Sequence, residues 1–158
     1  MMPLITMIAI DCRMGDLETQ VVLPLLESDL YLIMKACTEG KLAAADVAWS
    51  TQSAATVVMA AAGYPGTYKK GAPIAGLEAA ASVAGVTVYH AGTKAAAEGG
   101  GVLCNGGRVL AVTGVGADLK EAVSKAYEAV GVITFECEEG AMFRTDIAAK
   151  ASKKRPLS

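Results

Sequence analysis

The sequence has little of what most zinc and redox sites require. It contains one histidine, and its four cysteines, Cys12, Cys37, Cys104 and Cys137, form no CxxC pair. A zinc site is therefore not expected, and cysteines scattered in this way are typical of proteins in a reducing compartment. Aromatic residues make up only 5% of the chain, so its core must be aliphatic.

Charge of one sign and long apolar runs are also lacking. The net charge is −2, and only residues 150–155 cluster basic side chains, which we interpret as part of a solvated polar tail at 151–158. No apolar run approaches the roughly 18 residues of a membrane helix, and residues 1–10 lack the features of a signal peptide. The sequence predicts a soluble, cytoplasmic protein with no nucleic-acid or membrane partner, although organellar targeting stays open if sequence precedes Met1.

The 158 residues, 53% of them apolar, suffice for one domain or two small lobes. One polar stretch, residues 11–20, stands out between apolar flanks. Its charged side chains are Asp11, Arg13, Asp16 and Glu18. A predicted strand at residues 4–10 leads into this stretch, and polar residues at the carboxyl end of a strand often line a ligand site.

Helix signals bracket a predicted antiparallel sheet. A first helix is expected near Leu17, capped by Asp16 and interrupted by Pro24. A second is expected at 29–38, capped by Ser28 and ended by Gly40. A third is expected at 119–129, capped by Asp118 and ended by Gly131, and a short fourth follows residue 143. Strands are predicted at residues 47–49, 55–61, 86–89, 102–104, 108–113 and 132–135.

Several local features allow two interpretations each. Asn105, Gly106 and Gly107 predict a hairpin that pairs strands 102–104 and 108–113. The loop at residues 63–71 is either a plain connection, the favoured interpretation, or a flap that binds an anion through Lys69 or Lys70. His90 is more often structural than catalytic at a strand end, and Trp49 is favoured as a packing anchor.

Five ordered runs together resemble the C-terminal part of glycinamide ribonucleotide synthetases (phosphoribosylamine–glycine ligases), which are ATP-grasp enzymes. The resemblance extends over almost the whole chain, from about Ile8 to Ala149. The runs lie at residues 12–30, 63–71, 90–93, 105–113 and 140–147. A related carboxylase-type ATP-grasp enzyme is a further alternative, but Gly63-Tyr64-Pro65-Gly66 and His90-Ala91-Gly92-Thr93 favour the glycine ligase.

The resemblance implies a reaction and its cofactors. The family uses ATP to activate glycine as an acyl phosphate, which the amine of phosphoribosylamine attacks to give glycinamide ribonucleotide. ATP and Mg²⁺ or Mn²⁺ are the implied cofactors, because charge builds up on the transferred phosphoryl group. By the same resemblance, Arg13 binds anionic groups of the nucleotide or substrate, and Asp16 and Glu18 shape the substrate pocket.

Three departures from the family pattern are visible. The implied metal ligands are a glutamate and an asparagine, and their positions hold Ala9 and Asp11 here; Asp11 alone can ligate a metal through its side chain. Leu17 replaces a proline of the family. Residues 137–139 form an insertion before the run at 140–147.

The expected fold is α+β. Residues 1–46 would be the last piece of an ATP-grasp domain, and residues 47–150 a small antiparallel-sheet lobe with one packed helix. The lobes that enclose ATP in the family have no counterpart in these residues, so the isolated chain is expected to be inactive. The alternative is a non-catalytic remnant or assembly domain, and the strand at 4–10, left without its sheet, is expected to promote self-association.

Overall fold

The computed structural model describes residues 14–43, 47–97 and 99–151. The predicted strand at 4–10, with the self-association expected from it, lies outside these ranges, as does all but the first residue of the predicted tail. The described part is α+β, as expected, with two four-stranded antiparallel sheets and four α-helices.

The first sheet carries the core. Its strand order is β3, β6, β1, β8, and all neighbours are antiparallel. The bounds are β1 Ser53–Ala61, β3 Val86–His90, β6 Arg108–Gly116 and β8 Ala141–Met142. Val57 and Met59 of β1, and Leu110 and Val112 of β6, are fully buried. These aliphatic side chains form the core that the scarcity of aromatic residues predicts. No sequence pattern predicts β8.

The second sheet corrects one strand pairing. Its order is β4, β5, β2, β7, with bounds Pro73–Ala75 for β2, Thr93–Ala95 for β4, Val102–Cys104 for β5 and Thr134–Phe135 for β7. β5 pairs with β4 and β2, not with β6, so the hairpin predicted across Asn105–Gly107 is wrong. These residues instead carry the chain from one sheet to the other, where the backbones of Gly92 and Gly106 touch.

Helix α4, Leu119–Val132, packs on the first sheet. A Cβ atom at Gly114 would lie 2.7 Å from the main-chain nitrogen of Ala126, so glycine permits this close approach. Asp118 caps the helix by accepting a hydrogen bond from the main-chain N–H of Glu121, as predicted. The predicted end at Gly131 is wrong, because the helix runs on to Val132 beside the buried Ile133.

The segment before β1 forms two helices. α1 spans Glu18–Val22, and a 3-10 turn at Leu23–Leu25 follows where Pro24 was predicted to interrupt it. α2 spans Leu30–Thr38, and Gly40, at φ 66°, follows its end as predicted. The predicted caps are wrong. Asp29 rather than Ser28 caps α2, because its carboxylate accepts from two main-chain N–H groups, and Asp16 makes no cap contact with α1.

Three shorter segments complete the described chain. α3 spans Leu77–Ala81. The strand predicted at 47–49 is a single bridge between Leu26 and Trp49, and Trp49 is 51% exposed, so it is not a packing anchor. The helix predicted after residue 143 is a series of turns. The hydroxyl of Tyr127 ties this segment to α4 by donating to the main-chain oxygen of Arg144 at 2.7 Å.

Candidate functional site

The polar stretch folds as a tight turn that leads into α1. The N–H of Leu17 donates to Oε1 of Gln20 at 2.9 Å, and the N–H of Thr19 donates to the oxygen of Gly15 at 3.2 Å. Leu17 has a φ of 91°, a conformation that side chains rarely adopt. The carboxylate of Glu18 lies against Gly15, in the space that a Cβ atom at Gly15 would take.

Asp16 is held by two protein groups. Nε2 of Gln20 donates to one carboxylate oxygen at 3.0 Å, and Nη2 of Arg108 lies 3.0 Å from the other. Arg108 is the first residue of β6, so this ion pair joins the polar stretch to the first sheet. Both partners remain partly exposed, at 40% and 43%. Asp16 therefore shapes the turn through contacts within the protein.

Glu18 differs from Asp16 in having no such contacts. It is exposed, and its carboxylate accepts no hydrogen bond from any of the residues that the structure describes. It lies in the first turn of α1, where the helix dipole favours negative charge. Of the two described carboxylates predicted for the site, Glu18 is the one whose oxygens remain available to a ligand.

A second contact fixes α1 against the sheet. The hydroxyl of Thr113, which is 1% exposed, donates to the main-chain oxygen of Gln20 at 3.1 Å. The hydroxyl of Thr56 on the neighbouring strand hydrogen-bonds to the same hydroxyl. Because neighbouring residues of a strand face opposite sides, α1 and α4 cover opposite faces of β6, next to Thr113 and Gly114 respectively.

Loops from three distant parts of the chain meet at the start of β6. The N–H of Asn105 donates to the oxygen of Gly92 at 2.7 Å, and the N–H of Ala61 donates to the oxygen of Gly107 at 2.8 Å. The ring of Tyr64 packs directly against Gly107, leaving no room for a Cβ atom. The runs at 63–66, 90–93 and 105–108 are thus brought together beside the turn at 15–20, which Arg108 contacts.

Lys69 and His90 both contact groups within the protein. Nζ of Lys69 lies 2.7 Å from Oε1 of Glu139, a residue of the insertion. Their hydrogen bond raises the pKa of Lys69 and lowers the pKa of Glu139. Nδ1 of His90 lies 3.1 Å from the hydroxyl of Thr93, which agrees with the structural role favoured for it.

The insertion at 137–139 is accommodated in the loop between β7 and β8. It borders a cavity of about 180 Å³, whose lining includes Tyr68, Cys104, Phe135 and Cys137. Burial, with a smaller effect of nearby Cys137, raises the pKa of Cys104 to about 11. Cys104 therefore stays a neutral thiol at ordinary pH and is a poor nucleophile.

The predicted metal ligand Asp11, the altered position Ala9 and the anion-binding Arg13 all lie outside the described residues. Within those residues, no three histidine, cysteine, aspartate or glutamate side chains form a metal-binding cluster. Mg²⁺ bound with a nucleotide usually takes one or two carboxylates together with water and phosphate oxygens. An available carboxylate such as that of Glu18 suits this ligand type. No helix in the described ranges has the length and apolar character needed to cross a membrane.

Residues 54–150 match the family model described as the C domain of phosphoribosylglycinamide synthetase. This match includes β1 to β8 apart from the first residue of β1. The chain belongs to the phosphoribosylglycinamide synthetase family. The α+β fold and the resemblance drawn from the five sequence runs are thereby confirmed, and the loops that meet at the start of β6 lie within the matched C domain.

Curated relatives extend the likeness to the polar stretch. The chain is 48% identical over 144 residues to a phosphoribosylamine–glycine ligase of Neisseria meningitidis, covering 91% of this chain and 33% of the relative. It is 45% identical over 153 residues to the chloroplastic phosphoribosylamine–glycine ligase of Arabidopsis thaliana, covering 96% and 28%. It is 44% identical over 147 residues to a bifunctional purine biosynthetic protein of Dictyostelium discoideum, covering 93% and 18%.

A solved structure shares the fold. The phosphoribosylamine–glycine ligase of Thermotoga maritima superposes with a TM-score of 0.69 at 32% identity, covering 85% of this chain and 31% of that one. The chain thus spans a third or less of the length of each of these proteins.

Asp16 and Glu18 are predicted from the sequence, whereas the residues that hold Asp16 and the turn are not. In the sequence, Arg108 is part of the run at 105–113 and Gln20 is part of the polar stretch, and neither position predicts the contact with Asp16. Thr113 carried no signal except a hydroxyl in an otherwise apolar strand. Pairing Arg108 with Asp16 requires knowing that α1 lies across β6, which no local pattern reveals.

Proposed function

We propose that this chain forms the C-terminal part of a phosphoribosylamine–glycine ligase. The reaction joins glycine to 5-phosphoribosylamine with ATP, and gives glycinamide ribonucleotide, ADP and phosphate in de novo purine biosynthesis. The observation that carries this proposal is the meeting of the runs at 63–66, 90–93 and 105–108 beside the turn that bears Glu18. We place the reaction in the cytoplasm, with glycine and phosphoribosylamine as the substrates.

The proposal assigns a role to each predicted site residue. Arg13 binds anionic groups of ATP or substrate, since a guanidinium pairs with carboxylate or phosphate through two hydrogen bonds. Asp11 binds Mg²⁺ or Mn²⁺, which neutralises charge on the phosphates. Glu18 borders the substrate pocket with a carboxylate that no described residue engages, while Asp16 shapes the turn. The division into 1–46, the end of an ATP-grasp domain, and 47–150, the C-terminal domain, is part of the proposal.

An assembly role is the second candidate, favoured by α2. No residue of this helix is buried, and Tyr31, Leu32 and Met34 are 70%, 59% and 56% exposed. Large apolar side chains exposed together on one helix often mark an interaction surface. This observation also fits the first candidate, because a larger ATP-grasp domain would supply a surface for α2.

A chimera separates the two candidates. In it, this chain replaces the part of the Neisseria meningitidis ligase that it matches, and formation of glycinamide ribonucleotide is measured with ATP, glycine and phosphoribosylamine. We expect the chimera to form product and the isolated chain to release no phosphate above background. A chimera that folds and binds ATP but forms no product would overturn the ligase proposal and leave the assembly role.

Ala9 offers a further test of the proposed metal site. If this position has lost a ligand, Ala9→Glu in the chimera supplies a second hard oxygen ligand next to that of Asp11. We expect product formation to reach half its maximum at a lower Mg²⁺ concentration than in the unsubstituted chimera. An unchanged Mg²⁺ dependence would count against Ala9 as a ligand position.

A further inference from the structure

We infer that Arg108 is a positioning residue of the proposed ligase site, acting through Asp16 to hold the turn at 15–20 and therefore the carboxylate of Glu18. The inference rests on the proposed function for its catalytic consequence, but its structural part stands on the contacts alone. Nη2 of Arg108 lies 3.0 Å from Oδ2 of Asp16, and Asp16 accepts from Gln20 through its other oxygen.

The turn needs a partner outside itself. α1 has only five residues and buries none of its side chains. A helix this short is unstable alone, because nucleation costs more than its few hydrogen bonds return. The φ of 91° at Leu17 adds strain of order 1 kcal/mol or more. Within the described residues, two side-chain contacts with β6 oppose these costs, namely Arg108 with Asp16 and Thr113 with Gln20, and α1 also packs on β1.

The backbone around Arg108 is closely packed and hydrogen-bonded, which suits a positioning residue. Gly107, directly before it, packs against the ring of Tyr64 and accepts a hydrogen bond from Ala61. Gly92 packs so closely on the main-chain oxygen of Arg108 that a Cβ atom there would approach it to 2.5 Å. The oxygen of Val109 accepts from the N–H groups of Ala91 and Gly92. The guanidinium of Arg108 thus extends from a main chain that is held at Gly107 and Val109. This point lies where the runs at 63–66, 90–93 and 105–108 meet.

The two contacts with β6 act at different points. The Thr113 hydroxyl holds the main chain at Gln20, inside α1, whereas Arg108 holds the side chain of Asp16, before the helix begins. Glu18 lies between them. Loss of Arg108 leaves α1 attached at Gln20 and the hydrogen bonds within the turn intact, but removes the ion pair that joins Asp16 to β6. The turn that sets the direction of the Glu18 carboxylate is then less well held, so the defect is local.

Amide hydrogen exchange of the chain tests the structural part. The variants are Arg108→Gln, which removes the charge, and Arg108→Lys, which keeps it. The matched control is Arg144→Gln, which breaks another exposed arginine–aspartate pair, with Asp146 at 2.7 Å. For Arg108→Gln we expect exchange at Thr19 and its helical neighbours to be about tenfold faster, with α4 and β6 unchanged. Arg108→Lys should lie between Arg108→Gln and the control.

Steady-state kinetics of the chimera test the catalytic part. We expect Arg108→Gln to lower kcat about tenfold while KM for ATP stays within twofold, because a misplaced carboxylate disturbs the reacting groups more than nucleotide binding. Asp16→Asn should have a similar effect, and the double variant should be little worse than either, since the two residues act as one unit. Arg108→Lys should recover part of kcat, which loss of general stability would not explain.

The two arms separate failure of this inference from failure of the proposed function. Arg108→Gln with unchanged exchange at Thr19, or with kcat equal to that of Arg144→Gln, would overturn the positioning role. An unsubstituted chimera without activity would overturn the ligase proposal, and the exchange measurement would still decide whether Arg108 holds the turn.

Discussion

The hydroxyl of Thr113 donates a hydrogen bond to the main-chain oxygen of Gln20 at 3.1 Å, and so joins the central strand of the first sheet to the polar turn. The contact is shielded from water, because Thr113 is 1% exposed. The hydroxyl of Thr56 hydrogen-bonds to the hydroxyl of Thr113. One buried side chain thereby connects the segment before residue 47 with the matched C domain.

Thr113→Val should destabilise the protein. The substitution keeps the shape but leaves the oxygen of Gln20 and the hydroxyl of Thr56 without this partner, at a cost on the order of 1–3 kcal/mol. Urea denaturation measures the free energy of unfolding. The control is Thr87→Val, since Thr87 pairs with Thr113 across the same sheet but is exposed. Equal free energies of unfolding for the two variants would show that the Gln20 contact contributes nothing.

Gly107→Ala should destabilise by overpacking. A methyl group at this position meets the Tyr64 ring, including its first ring atom, so the whole side chain must shift. Overpacking of this kind costs about 1–3 kcal/mol. Gly131→Ala is the matched control: nothing lies within 4 Å of its Cβ position in α4, and helix propensity predicts a gain of up to about 1 kcal/mol. Thermal unfolding should therefore shift in opposite directions, and a common direction would contradict the packing described at Gly107.

The described cysteines should differ sharply in reactivity. Cys104 is 2% exposed, and burial raises its pKa to about 11, whereas Cys37 and Cys137 are exposed. Alkylation with iodoacetamide at pH 8, followed by mass spectrometry of peptides, should modify Cys37 and Cys137 readily and Cys104 only after unfolding in urea. Early modification of Cys104 in the folded protein would contradict its burial beside the 180 Å³ cavity.

Because the pKa of the Cys104 thiol is raised, we expect the folded protein to lose stability in alkali. Burial raises the pKa of the Cys104 thiol from its ordinary value of 9.0 to about 11 in the folded state, so the unfolded chain releases this proton first as the pH rises. The contribution of this thiol to the free energy of unfolding is fully present below pH 9 and is lost as the pH rises to 11. At 1.4 kcal/mol per pKa unit, the loss amounts to at most about 3 kcal/mol. Urea midpoints measured from pH 8 to pH 11 should fall less for Cys104→Ala than for Cys37→Ala. Parallel declines would contradict the raised pKa.

Local sequence patterns predicted the positions of helices and strands better than they predicted which strands pair. The predictions at Asp118 and Pro24 are confirmed, because capping and helix interruption depend on residues within one turn. The caps predicted at Asp16 and Ser28 are nevertheless wrong, since Asp16 pairs with Arg108 and the neighbouring Asp29 caps α2 instead. The Asn105–Gly107 pattern predicted the wrong pairing, since a glycine-rich turn suits both a hairpin and a close crossing between sheets. Which of the two forms depends on the distant strands that pair with β5 and β6. Gly131 misled similarly, because burial of Val130 and Ile133 outweighs the helix-ending tendency of one glycine.

The same holds for the candidate site, where the residues were predictable but their contacts were not. The charged residues of the turn could be picked out from the sequence because they interrupt apolar flanks. The different environments of these residues could not be predicted from the sequence. Asp16 pairs with Arg108 of a distant strand, whereas no described residue binds the carboxylate of Glu18. Arg13 and Asp11 retain the roles that the family resemblance implies as predictions.

The most direct test of the ligase account compares two glutamates in the chimera. Glu18→Gln removes the available carboxylate at the candidate site. Glu78→Gln makes the same change at an exposed position in the first turn of α3, which also has five residues. The measured quantity is the rate of glycinamide ribonucleotide formation. We expect this rate to fall at least tenfold for Glu18→Gln and to stay within twofold of the parent for Glu78→Gln. Full activity of the Glu18→Gln chimera would contradict the account.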